Sequence, residues 1–79
     1  MSKRIYHHVL WDAVIDGEPW RDVIASPDTA WQGKNIAKRE SARDCGRFSV
    51  AVIELDLDLD DVVSFRTIAA YEAGEAVQL

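Results

Sequence analysis

Residues 54–61 read Glu-Leu-Asp-Leu-Asp-Leu-Asp-Asp, carboxylate and leucine in strict alternation. Successive side chains of an extended strand point to opposite faces. The pattern therefore predicts Glu54, Asp56, Asp58 and Asp60 in one row and Leu55, Leu57 and Leu59 in another, each row spaced by roughly 6.6 Å. The leucines would back the carboxylates against a core. Asp is among the poorest strand formers, and aligned like charges repel by about a few tenths of a kcal/mol per pair after screening. A row built against these preferences points to a working negative surface. The plain structural alternative is a solvated strand face whose charge also blocks edge-to-edge aggregation.

A chain of 79 residues makes one domain, 1–79, and buries little more than ~60% of the surface its unfolded form exposes. With 48% hydrophobic and 29% charged residues it has the composition of a globular protein rather than a disordered one. The first residues lack the apolar core of a signal peptide, and no stretch approaches the ~20 apolar residues of a membrane span. The single cysteine, Cys45, has no internal disulfide partner. Both features lead us to expect a cytoplasmic protein.

The net charge of −5 is unevenly spread: residues 1–25 carry three basic and four acidic side chains, residues 26–47 five and three, residues 48–79 one and seven. The last third thus holds a charge of −6, with Arg66 its lone cation. Such a surface repels free nucleic acid and attracts a basic nucleic-acid-binding groove.

Asp16-Gly17 is a preferred type I′ turn between the β-rich runs 6–15 and 20–25, which predicts a hairpin. Its register sets Ile15 against Glu18, Ala13 against Trp20, Asp12 against Arg21 and Val9 against Ile24. Pro19 places the second strand at a sheet edge. Ser26-Pro27-Asp28 reads as a helix start with serine as N-cap, and Gly46 as the residue past its end at Cys45. Ala30, Gly33, Ala37 and Ser41 give that helix a stripe of small residues suited to close packing on a sheet. The run 48–53 suits a central strand, and 48–57 should pair with 62–71 as a second hairpin. The expected fold is α+β: ββαββ, an antiparallel sheet with one helix packed on it.

Chemistry-bearing residues are sparse. Asp56, Asp58 and Asp60 match the first, third and fifth positions of a calcium loop, but Asp61 stands where that loop needs glycine and Thr67 where it needs glutamate. His7 and His8 would face opposite ways on a strand, and no Cys or His lies at zinc-ligand spacing. Cys45 lacks an adjacent base in the sequence. Neither enzymatic activity nor a metal or cofactor is expected. Trp11, Trp20 and Trp31 read as core. Lys34, Lys38, Arg39, Arg43 and Arg47 give the segment 34–47 a basic side, the basis of an alternative reading as a small nucleic-acid-binding or antitoxin-like module.

The carboxylates Glu54, Asp56, Asp58, Asp60 and Asp61, with Glu72 and Glu75 downstream, sit in a small chain without catalytic residues. In this profile it resembles anti-CRISPR proteins of the DNA-mimic kind, small acidic phage proteins. The resemblance implies an inhibitor, monomeric or a small homo-oligomer, acting in the host bacterial cytoplasm. It would bind a host nucleic-acid-binding complex, the CRISPR surveillance complex, through those seven carboxylates and occlude its DNA path.

Overall fold

The computed structural model describes residues 2–79 and places them in six elements: β1 (Lys3–Ile15), β2 (Glu18–Ala25), α1 (Ala30–Arg43), β3 (Arg47–Asp56), β4 (Asp61–Glu72) and β5 (Glu75–Ala76). The strands form one antiparallel sheet in the order β2-β1-β3-β4-β5. This corrects the expected ββαββ arrangement. The molecule is mostly sheet, and a fifth strand follows β4. Its turn, Ala73-Gly74, has positive φ at both residues (52° and 80°), the geometry of a tight hairpin. Alanine seldom adopts that conformation, so residues 69–76 carry no recognisable turn signal.

The first hairpin turns at Asp16 and Gly17, whose φ values of 53° and 80° fit a type I′ turn. Its register matches the expected one from Ile15↔Glu18 to Asp12↔Arg21, then slips at a bulge so that Val9 faces Ala25 instead of Ile24. β2 is an edge strand, as Pro19 requires.

The helix begins three residues later than Ser26 as N-cap implies. Thr29 is the N-cap: its Oγ1 accepts from the Gln32 amide at 3.2 Å while Gln32 Oε1 accepts from the Thr29 amide at 3.3 Å, closing a capping box. It ends at Arg43 with Asp44 as C-cap, two residues before Cys45. Gly46 (φ 105°) has a different duty from helix termination. A Cβ at Gly46 would lie 2.7 Å from Trp11 Nε1 and 2.9 Å from the Asp12 carbonyl oxygen. The bare backbone lets the chain pass close enough for Trp11 Nε1 to donate to the Cys45 carbonyl at 3.0 Å.

Gly33, Ala37 and Ser41 form the buried stripe of α1. They rest on a core of Val9, Phe48 and Val50, with Trp11, Ile36, Ile68 and Tyr71 packed around it. Each large apolar side chain buried there stabilises the fold by about 1.5–3 kcal/mol. Ser41 Oγ donates to the Lys38 carbonyl and accepts from the Gly74 amide at 3.1 Å, tying the helix to the β4–β5 turn. The other face of the sheet has no second layer among the described residues. Leu10, Ala51 and Ala70 are buried on it by their own neighbours, while Val23, Val62 and Phe65 stand exposed. Among the described residues no helix is long and apolar enough to cross a membrane.

Candidate functional site at the β3–β4 turn

The alternating segment does not continue as a strand. β3 stops at Asp56, residues 57–60 form the turn, and β4 starts at Asp61. Asp60 adopts φ 51°, a left-handed conformation that Asp tolerates better than most residues. The predicted row of four carboxylates on one strand face is therefore broken after Asp56. Its cause is Asp56 itself, which is buried and whose Oδ1 accepts from the Asp58 amide at 2.9 Å and the Leu59 amide at 3.3 Å. Asp hydrogen-bonding the backbone two and three residues ahead makes a turn more favourable than continued pairing. The leucines do not back the acids as predicted: Leu57 is exposed, and Leu59 retains 73% of its accessible surface.

The amino-terminal segment braces this turn. The Ser2 carbonyl accepts from the Leu57 amide at 2.8 Å, and the Ser2 amide donates to Asp58 Oδ2 at 3.0 Å. Lys3 Nζ lies 3.2 Å from Glu54 Oε1, and Arg4 pairs in register with Leu55. Cations from the other end of the chain thus enter the acidic region, which a count by thirds of the sequence does not show. Glu54 is paired with Lys3, Asp56 with the turn backbone and Asp58 with Ser2, while Asp60 and Asp61 are exposed beside Leu59.

Glu72 and Glu75 do not join them. They face each other across the β4–β5 hairpin, eleven residues beyond Asp61, or roughly 36 Å along an extended strand. The longest dimension of the molecule is 41 Å, so the seven predicted partner-binding residues occupy two opposite ends.

The basic helix is also divided. At about 100° per residue, Lys34 and Lys38 lie on one flank and Arg39 and Arg43 on the other. Both arginines approach Glu40 Oε1, at 3.4 and 3.8 Å, and Arg47 donates to the Gln78 carbonyl. No continuous basic face results.

Of the tryptophans predicted as core, Trp11 alone packs against it. Trp20 and Trp31 are exposed at 57% and 74%, on the edge strand and the outer side of the helix. Missing tertiary cover, not residue type, decides this. An apolar concavity lies between α1 and the β1–β2 hairpin, lined by Trp11, Ile24, Ile36 and Phe48 and rimmed by Arg39 and Glu40. Among the described residues no Ser, Thr, Cys, Lys or His side chain lines it. Among the described residues no group of three or more His, Cys, Asp or Glu side chains is placed to hold a metal ion. Across the sheet, Asp12 Oδ1 accepts from Arg21 Nε at 2.7 Å; this hydrogen bond, with the carboxylate's charge, holds the Arg21 guanidinium above its ordinary pKa. No protein-family model, curated protein or solved structure matches this chain.

Proposed function

We propose that the chain is a non-enzymatic inhibitor that presents its β3–β4 turn to the basic groove of a nucleic-acid-handling complex in the cytoplasm of a bacterial host. The observation behind this reading is an exposed leucine, Leu59, set among Asp58, Asp60 and Asp61 on a turn braced by Asp56 and Ser2. The carboxylates are drawn to a cationic groove, and a protruding leucine adds a desolvated contact that phosphates lack. Contact is therefore made by one compact turn, displacing nucleic acid by occupying its site, in place of an extended imitation of a phosphate track. Glu54 and Asp56 act in support, and Glu72 and Glu75 lie outside the contact. The profile resemblance to anti-CRISPR proteins makes a CRISPR surveillance complex the first partner to test. The division of the helix cations favours this reading over direct nucleic-acid binding.

The test is target-DNA binding by a panel of purified surveillance complexes in the presence of the wild-type protein or its variants. Asp58→Asn, Asp60→Asn and Asp61→Asn combined should weaken inhibition at least tenfold, and Leu59→Ala should weaken it further. Inhibition that survives all four changes would remove the turn as the working surface.

A further inference from the structure

We infer that the cleft between α1 and the β1–β2 hairpin is a docking groove for a basic amphipathic helix of a partner protein. Five strands at about 4.8 Å spacing span roughly 20 Å, twice the width of a helix with its side chains. α1 rests on β3, with β1 and β4 to either side, and leaves the same face of β2 bare. Trp11 packs under α1. Ala13 shares its face and pairs with Trp20, while Trp11 itself pairs with Asp22, so Trp20 and Asp22 stand on the face that α1 only partly covers. Trp20 and Ile24 are exposed there, beside the cleft floor of Trp11 and Phe48.

The shape of the cleft selects a helix. Its volume is about 490 Å³ and it opens along the edge strand, whereas a small-molecule site encloses most of its ligand. A strand added to β2 would meet Pro19, which has no amide to donate. A helix keeps its backbone hydrogen bonds to itself. Laid beside α1 at the usual spacing of about 8–10 Å, it would set one apolar stripe on Trp11, Trp20, Ile24 and Ile36.

Charge selects a basic one. Four carboxylates, Glu18, Asp22, Glu40 and Asp44, border the groove against two guanidiniums, Arg39 and Arg43. Both arginines approach Glu40, and among the described residues no ion pair engages Glu18, Asp22 or Asp44. The cations lie on the α1 side and the free carboxylates Glu18 and Asp22 on the β2 side, so the partner's lysines belong on the flank turned toward β2. Phe48 in this groove and Asp56 at the acidic turn lie toward opposite ends of β3, which makes the groove a surface separate from the turn.

Isothermal titration calorimetry of the full-length protein with a synthetic helix of about five turns, leucine along one face and lysine elsewhere, tests the inference. This probe should bind saturably below hundreds of micromolar, and the same peptide with glutamate for lysine at least tenfold more weakly. Trp20→Ala, at an exposed position, should weaken the lysine peptide at least tenfold, and Glu18→Gln with Asp22→Asn at least threefold. Trp31→Ala, and Asp58→Asn, Asp60→Asn and Asp61→Asn combined, should leave its affinity unaltered. Absence of binding, binding indifferent to the groove variants, or binding lost in the turn variant would overturn the proposal. Self-association of the wild type that Trp20→Ala abolishes in sedimentation equilibrium would give the groove to a second copy and overturn it likewise.

Discussion

Asp56 shows how one side chain redirects a segment. Its neighbours alternate as a strand should, yet its carboxylate accepts two backbone amides ahead of it and closes a turn. Asp56→Ala leaves those donors without their partner, and we expect a loss of about 1–3 kcal/mol in urea denaturation. Asp60→Gly removes a left-handed side-chain penalty and should stabilise by up to about 1 kcal/mol. Loss of stability in that variant would show that the Asp60 side chain has a structural role of its own. Gly46 offers a third check, because a methyl group there meets Trp11 and a backbone carbonyl rather than solvent. Gly46→Ala should cost at least about 1–3 kcal/mol from backbone strain alone and change the Trp11 fluorescence, whereas a helix-terminating role would leave Trp11 unaffected.

At the scale of the elements, α1 carries two competing start signals, Ser26-Pro27 and Thr29 with Gln32. The second prevails because a capping box satisfies donors in both directions. Thr29→Ala should therefore lower stability by about 1 kcal/mol, and Ser26→Ala should change it by less than about 0.5 kcal/mol. The reverse ranking in thermal denaturation would put the helix start back at Ser26. The first hairpin was legible because Asp-Gly has a specific backbone preference. β5 was not, because Ala73-Gly74 reaches its turn geometry through pairing with β4, against the preference of alanine.

For the whole molecule, charge separates binding to proteins from binding to nucleic acid. With a net charge of −5 and its helix cations split between two flanks, the protein should not retain DNA or RNA in a gel shift at ~150 mM salt, where the screening length is about 8 Å. Strong, salt-sensitive retention abolished by Lys38→Ala, Arg39→Ala and Arg43→Ala together would instead support the helix as a nucleic-acid surface.

Local chemistry determined much of this protein from the sequence alone. The Asp16-Gly17 turn, the Asp12–Arg21 pairing, the edge position of β2, the small-residue stripe of α1 and the β3–β4 hairpin each follow from preferences acting within a few residues. The candidate site was legible as a set of acidic residues and not as a shape. Tertiary structure alone decided that Lys3 and Ser2 reach the acidic turn, that Asp56 is buried while Leu59 is exposed, and that Glu72 and Glu75 lie at the far end. It also decided which tryptophans are covered and left one sheet face open. These outcomes depend on contacts between residues far apart in the chain and on which surfaces a single helix can cover, and no local preference encodes either.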